Sequence, residues 1–243
     1  MTTNENMIFY NDNNHQDCME AWAKGDKNMY EYVKKSEYAP ARKELEQIIK
    51  CTQIEMRKNY KLTFQFHLIG SGKNHLITRI KGGNSGYDFD YNLILSPPSK
   101  GCHYNAKNIK QNFITAFQTA LQGTGYSFPE DSTSSITIKM IDKDKKKICH
   151  SCDFAIIYYG SNGDNDGYYY LRYNKAHQSY QFAFRALSSD IDEKVHNIIK
   201  DNGWNYIKEE YLLLKNINDE NEKHSFSLYT EAINNVYNQM YLQ

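Results

Sequence analysis

The sequence has no excess charge of either sign, because Lys+Arg and Asp+Glu both number 29. It therefore has no overall electrostatic attraction to nucleic acid or to an anionic membrane surface. No apolar run approaches the length of a membrane span, and residues 1–6 are polar and lack an apolar signal core. The five cysteines are odd in number and scattered, which does not fit a disulfide framework. We expect a soluble, reduced, cytoplasmic protein with no membrane partner.

Aromatic residues are abundant, at 14% with 21 tyrosines, which indicates a folded chain despite a mean hydropathy of -0.77. The 243 residues suffice for one large domain or for two small ones. The order of predicted elements divides the chain into a flexible N-terminal segment (1–16), a core (17–160) and a mainly helical C-terminal lobe (161–243). We predict an α+β fold, in which a small mixed β-sheet carries flanking helices and is followed by the helical lobe.

Local patterns place the elements within this outline. A helix with Pro40 in its first turn has apolar residues at helical spacing, and this face comprises Leu45, Ile48, Ile49, Thr52 and Met56. The stretch 160–167 is rich in Gly, Asn and Asp, which predicts a loop that ends the sheet. The tyrosine-rich residues 168–173 fit either a strand of a further ribbon or the start of a helix.

One pattern of residues indicates a chemical function. The alternating apolar run 62–69 predicts a half-buried strand that leads into a turn at Gly70-Ser71. A second predicted strand contains Asp88 and Asp90, which project from the same face because they are two residues apart. Like charges held together in this way repel each other, and a divalent cation removes the repulsion.

A third acid, Asp153, stands at the start of the apolar run 154–159. Antiparallel pairing of this strand with the one before it brings Asp153 towards the same end of the sheet. Three carboxylates beside a Gly-Ser turn predict a site for metal-dependent phosphoryl or nucleotidyl transfer. Gly70 lets the backbone approach a triphosphate, and Ser71 offers it N–H and O–H donors.

The order of these motifs resembles that of the DNA-polymerase-beta-like nucleotidyltransferase superfamily, and in motif form it is most similar to the cGAS/DncV-like cyclic-oligonucleotide synthetases. Residues 211–216 (YLLLKN) also resemble the helix that follows the catalytic sheet in those enzymes. The resemblance covers about residues 40–217. The motif residues that carry it are Gly70, Ser71, Thr78, Ile80, Tyr87, Asp88, Phe89, Asp90 and Asp153.

The resemblance implies transfer of a nucleotidyl group from a nucleoside triphosphate such as ATP or GTP to an acceptor hydroxyl, with release of pyrophosphate. Asp88 and Asp90 would hold two Mg²⁺ or Mn²⁺ ions, and Asp153 would complete one metal site and take the acceptor's proton. By resemblance, Lys215 reaches the β- or γ-phosphate. The resemblance leaves the acceptor open among a second nucleotide, an RNA end, a protein side chain and a small molecule. With a second nucleotide as acceptor, the product would be a second messenger.

Other interpretations accompany each motif. An Asp-x-Asp pair at a sheet edge can block strand pairing, and Gly-Ser can be a plain turn. Cys149 and Cys152 have the spacing of a zinc pair but lack a second pair, so free thiols fit better. The tyrosines at 168–170 could stack a nucleobase or lie in the core. At the level of the whole chain, the alternative is a catalytically silent nucleotide-binding protein of the same fold.

Overall fold

The structure is a computed structural model that describes residues 29–187, 190–218 and 222–242. The predicted N-terminal segment, residues 1–16, lies outside the described residues. None of the helices in the described ranges is both long enough and apolar enough to cross a membrane.

The described residues contain six helices and nine strands. The helices are α1 (Lys35–Tyr60), α2 (Gly70–Lys73), α3 (Ala106–Ala120), α4 (Asp190–Lys200), α5 (Trp204–Ile217) and α6 (Ser225–Tyr241). The strands are β1 (Tyr30–Tyr32), β2 (Phe64–Ile69), β3 (Thr78–Ile80), β4 (Tyr87–Leu95), β5 (Glu130–Asp131), β6 (Ile136–Asp142), β7 (Lys147–Asn162), β8 (Asn165–Asn174) and β9 (Ser179–Ala186).

The main sheet has seven strands in the order β2-β4-β7-β6-β5, with β8 pairing to β7 and β9 pairing to β8. The β4–β7 ladder is parallel, and the other ladders of this sheet among the described residues are antiparallel. Strand β7 is 16 residues long, so its first part pairs with β6 and its last part with β8. β1 and β3 form a separate two-stranded sheet. The predicted α+β fold with a mixed sheet is confirmed.

Helices α1 and α3 supply the apolar faces that cover one side of the sheet. All five residues of the predicted α1 face are buried, which confirms that face. Phe117 of α3 stacks on Phe154 of β7 with ring centroids 4.6 Å apart. Burial of such side chains removes apolar surface from water and is the main term that holds the layers together.

The predicted start of α1 was wrong, because the helix begins at Lys35 and Pro40 lies inside it. The first turn is closed by bonds from the Glu37 and Tyr38 amides to the Lys34 carbonyl. Tyr38 is buried, and its hydroxyl lies 2.9 Å from His75 Nδ1. This anchor stabilises an extra turn upstream of the proline, which lacks only one backbone donor.

The sheet does not end at residue 160 but continues to Ala186, so the boundary predicted at residue 161 differs from the structure. Gly163, with φ at +62°, and Asp164 form a two-residue turn between the paired residues Asn162 and Asn165. The glycine-rich stretch is therefore a hairpin turn rather than a long loop. Of the two possibilities for residues 168–173, the strand is the observed one.

The described residues divide into two compact units: residues 32–79 with 84–187, and residues 29–31 with 80–83, 190–218 and 222–242. The first holds the main sheet with α1 to α3. The second holds α4 to α6, whose small core contains Ile198, Ile207, Ile233 and Val236. Helices therefore do follow the sheet, but they begin at Asp190.

Candidate active site

Strand β4 presents its two aspartates on the face opposite the core. Phe89 and Tyr91 are fully buried beneath the helices. On the opposite face of the strand, Asp88 is exposed and Asp90 is partly buried. The alternation of aromatic or aliphatic and polar residues from Tyr87 to Leu93 produces this result, since successive side chains of a strand point to opposite faces. The prediction that Asp88 and Asp90 share one face is confirmed.

Asp153 lies beside Asp90, because these two residues are register partners in the parallel β4–β7 ladder. It shares their face of the sheet, since its neighbours Cys152 and Phe154 are fully buried on the other side. Asp153 stands in the middle of β7 rather than at a strand start, and its partner on β6 is Thr137. The three acids thus converge on one face across two adjacent strands.

Hydroxyl groups hold two of the three carboxylates. Ser151 Oγ donates to Asp88, which lies opposite it in the β4–β7 register. Ser135 Oγ donates to Asp153 Oδ1 at 3.1 Å, and Thr137 Oγ1 donates to the same oxygen. The sequence analysis missed these three hydroxyl residues. The alternation Ser151-Cys152-Asp153 was the available signal, but its use requires the pairing of distant strands.

The charge on Asp90 is unfavourable in the absence of a cation. Burial, together with weaker repulsion from Asp153 and then Asp88, raises the pKa of the Asp90 carboxyl to about 6. Both causes disfavour the ionised form. A divalent cation bound to the acids would reverse the second cause, because it brings opposite charge to within ligand distance.

Gly70 allows the backbone to pass close to this site. Its φ of +61° lies in the left-handed region, and an added Cβ would stand 2.9 Å from Asp90 Oδ2. Any side chain at this position would therefore be strained and would push against a predicted metal ligand. Ser71 follows in the short helix α2, where its carbonyl accepts the Leu76 amide at 2.8 Å.

The donor set fits a hard divalent cation. Three carboxylates on one face supply oxygen ligands of the kind that Mg²⁺ and Mn²⁺ prefer. Within the part of the chain that the structure describes, no three His, Cys, Asp or Glu side chains are placed so that together they could hold a metal ion. Metal binding by the three acids stays a prediction.

Lys215 lies on α5, in the second compact unit. Its Nζ donates to Ser225 Oγ at 3.0 Å and lies 4.4 Å from the ring centroid of Tyr30. The neighbouring Asn216 side chain accepts the Tyr30 amide at 2.7 Å, which fixes this end of α5. The structure therefore shows an anchored lysine, and its contact with a triphosphate stays a prediction, as do those of Gly70 and Ser71.

The cysteine pair does not form a zinc site. Cys149 and Cys152 are three residues apart on β7, so their side chains project from opposite faces. Cys152 is fully buried, and burial raises the pKa of its thiol. His150 lies on the same core side, where its Nε2 is 2.8 Å from the Tyr126 hydroxyl. Free thiols, the interpretation favoured from the sequence, are what the structure contains.

Comparison with protein-family models and with curated proteins gives no match. Comparison with solved structures gives matches to bacterial cyclic dinucleotide synthases. The CdnE cyclic dinucleotide synthase of Elizabethkingia meningoseptica, solved with GTP and Apcpp, is 13% identical with a TM-score of 0.50, over 78% of this chain and 68% of that one. The CdnE c-UMP-AMP synthase of Rhodothermus marinus, solved with Apcpp and Upnpp, is 14% identical with a TM-score of 0.50, over 83% and 75%.

A third match is the CD-NTase CdnG of Bradyrhizobium diazoefficiens in complex with GTP, at 12% identity and a TM-score of 0.44. This chain spans 40% of the length of that protein, against 66% of its own. At these identities the comparisons establish the fold. The resemblance drawn from the motifs is thus confirmed at that level: the chain has the nucleotidyltransferase fold of the cyclic dinucleotide synthases.

Proposed function

We propose that this protein is a metal-dependent nucleotidyltransferase that moves a nucleotidyl group from a nucleoside triphosphate to the hydroxyl of a second nucleotide. The observation that carries the proposal is the convergence of Asp88, Asp90 and Asp153 on one face of the β4–β7 pair, beside Gly70. Paired carboxylates of this kind are unfavourable unless a cation binds them. The silent alternative gives no physical reason for placing three acids together.

The residues have separate tasks in this reaction. Asp88, Asp90 and Asp153 would hold divalent cations, which would neutralise the developing charge on the phosphate oxygens. Gly70 and Ser71 admit and bind the triphosphate, and Lys215 neutralises its outer phosphates. Ser135 and Thr137 fix the orientation of the Asp153 carboxylate through their hydrogen bonds.

The chemical step conserves its atoms and charges. The acceptor oxygen forms a bond to the α-phosphorus, the bond from that phosphorus to the β-phosphate oxygen breaks, and pyrophosphate leaves with the electron pair. Asp153 takes the proton of the attacking hydroxyl. Most of the catalytic effect comes from positioning and charge neutralisation, because the protein forms no covalent bond to substrate.

Two observations favour a nucleotide as acceptor. The fold matches those of a cyclic dinucleotide synthase and a c-UMP-AMP synthase. The chain also has a formal net charge of zero, which gives no support for binding a long nucleic acid. A linear or cyclic oligonucleotide, such as a second messenger, is the product that follows from this choice.

The test is incubation with labelled ATP, GTP, CTP and UTP plus Mg²⁺ or Mn²⁺, followed by thin-layer separation of products. We expect a phosphatase-resistant oligonucleotide that forms with metal and disappears with EDTA. The double variant Asp88→Asn, Asp90→Asn should form none, while the control Asp144→Asn, Asp164→Asn alters two exposed aspartates and should match the wild type. Product formation by the first double variant would contradict the proposal.

A second readout separates binding from turnover. ATP or GTP with Mn²⁺ should raise the thermal stability of the wild type, because a ligand that binds only the folded state stabilises it. The double variant should lose this gain. Nucleotide binding with no product under any acceptor would favour the silent protein instead.

A further inference from the structure

Lys110 is a buried lysine that the proposed mechanism does not use. It lies on α3, its side chain is 1% exposed, and it faces the segment that connects β5 to β6. Its neighbour Lys107 on the same helix is exposed, as lysines usually are. A lysine this deeply buried is costly unless its charge and its three donors are matched.

The three donors of Lys110 are all matched within one segment. Its Nζ donates to the carbonyl of Ser135 at 2.7 Å and to the carbonyl of Ser132 at 3.1 Å, and it pairs with Asp131 Oδ1 at 3.2 Å. The other carboxylate oxygen of Asp131 accepts from the Tyr180 hydroxyl. The Lys110 ammonium therefore contacts both ends of residues 131–135, which form the short connection from β5 to β6.

The residues fixed by Lys110 carry the hydroxyls that hold Asp153. Ser135, whose carbonyl bonds Lys110, donates its own hydroxyl to Asp153 Oδ1 at 3.1 Å. The Ser132 hydroxyl lies 2.8 Å from Thr137 Oγ1, which donates to the same Asp153 oxygen. Two short paths of hydrogen bonds thus lead from one buried ammonium to one carboxylate.

Stability alone does not account for a charge at this place. A methionine would fill the same volume without the cost of removing an ammonium from water, and such replacements of buried ion pairs are often neutral or stabilising. The burial of the Lys110 side chain also lowers the pKa of its ammonium, while Asp131 and Asp153 act in the opposite direction. The charge is thus kept in place by partners that include a predicted metal ligand.

We infer that Lys110 is a positioning residue for the metal site: it fixes residues 132–135 so that Ser135 and Thr137 hold the Asp153 carboxylate in the orientation that receives a divalent cation. The inference rests on the proposed function. Groups that orient metal ligands from behind typically change metal affinity by about 10–100-fold when they are removed.

The test compares Lys110→Met with two control variants in the full-length protein. The measurement is the Mn²⁺ concentration that gives half of the thermal stabilisation produced by a non-hydrolysable ATP analogue. We expect Lys110→Met to need at least tenfold more Mn²⁺. Lys107→Met removes an exposed charge from the same helix, and Phe113→Leu loosens the core contact with Phe64, so both should keep the wild-type midpoint.

Phe113→Leu is the decisive control, because it lowers stability through the contact with Phe64 and leaves Lys110 and its three partners unchanged. If Lys110→Met and Phe113→Leu have the same Mn²⁺ midpoint, Lys110 is a structural tether and the inference is overturned. If Lys110→Met does not fold, Asp131→Asn replaces it, since this variant keeps the volume and weakens the anchor. We then expect a several-fold shift in the same direction, and a wild-type midpoint would overturn the inference.

Failure of the proposed function gives a different experimental result from failure of this inference alone. In that case the wild type itself gains no stability from Mn²⁺ and nucleotide, and the inference is overturned together with the proposed function. Hydrogen exchange without metal reports the anchor separately, through the amide of Tyr173, which donates to the Thr133 carbonyl at 2.8 Å. This amide should exchange at least tenfold faster in Lys110→Met than in Phe113→Leu, and equal rates would overturn the inference.

Discussion

Asp90 and Asp153 are register partners on the parallel strands β4 and β7, and their side chains lie on the same face of the sheet. The pairing forces two negative charges together at a place where Asp90 is already partly withdrawn from water. The repulsion is a property of the folded chain, because nothing holds these residues together when it unfolds. It can therefore be measured as a dependence of stability on pH.

The first prediction concerns the stability of the metal-free protein. The pKa of Asp90 is about 6 in the folded state against an ordinary value of 3.8, so the folded state retains a proton that the unfolded state has lost between these values. Stability should fall as the pH rises through this window. Asp90→Asn should be more stable than the wild type at pH 7.5, by no more than about 3 kcal/mol.

Urea unfolding followed by circular dichroism in EDTA, from pH 4 to pH 8, measures this difference. The difference should shrink to a small remainder near pH 4, where folded Asp90 is protonated and unfolded Asp90, with its ordinary pKa of 3.8, is nearly half protonated. The exposed Asp144 provides the control, since Asp144→Asn should follow the wild type throughout. A gap between wild type and Asp90→Asn that stays constant with pH would show that charge is not its cause.

The second prediction concerns Gly70→Ala. This change introduces about 1–2 kcal/mol of left-handed backbone strain and also places a Cβ against Asp90 Oδ2. We expect a lower melting temperature and loss of the stabilisation by nucleotide with Mn²⁺. Differential scanning fluorimetry with and without ligands measures both effects.

Gly123→Ala is the matched control for this variant. Gly123 has a φ of +77°, but a Cβ there would meet no atom within 4 Å. The control should lose similar stability and keep the full response to nucleotide and metal. Equal ligand responses in the two variants would mean that Gly70 serves the backbone turn alone.

The third prediction concerns Lys215, whose Nζ is anchored by Ser225 and by the ring of Tyr30. If this ammonium contacts the triphosphate, Lys215→Met should raise the ATP dissociation constant by about tenfold or more, since hydrogen bonds to charged groups contribute about 1.5–3 kcal/mol. Isothermal titration calorimetry with a non-hydrolysable analogue gives the constant. Lys200→Met changes an exposed lysine at the end of α4 and should have no effect, and wild-type affinity in Lys215→Met would remove this residue from the site.

The fourth prediction concerns the thiols. Cys152 is fully buried with its pKa raised by burial, whereas Cys102 is exposed. A thiol reagent should modify Cys102 at once and Cys152 only after unfolding, because the thiolate is the reacting form. Mass spectrometry of labelled peptides identifies each site. Cys149 should be labelled at the same rate with and without EDTA, and faster labelling after chelation would revive the zinc interpretation.

The sequence was sufficient to predict the parts of the site that depend on local pattern. The period-two alternation along β4 predicted that Asp88 and Asp90 share a face, and the burial of Phe89 and Tyr91 confirms it. The apolar spacing along α1 predicted its buried face in the same way. Each of these patterns lies within a single helix or strand, so it can be recognised without knowledge of the fold.

The parts that were missed depend on pairs of distant elements. Ser135 and Thr137 contact Asp153 because of the β6–β7 register, which no local pattern reports. Lys110 looks like a solvent-facing lysine until Asp131 and the 132–135 carbonyls are placed around it. Strand β8 was undecided because tyrosine suits both a strand surface and a helix, and pairing with β7 decides between the two.

Because β4 and β7 run in the same direction, no hairpin can join them, and the chain must complete the crossover through α3, β5 and β6 before they pair. Contacts of such long sequence separation are entropically expensive and slow to form. The crossover thus delays the meeting of the three acids until the rest of the layer is built. A partly folded chain that lacks the β4–β7 pairing accordingly keeps Asp153 away from Asp88 and Asp90.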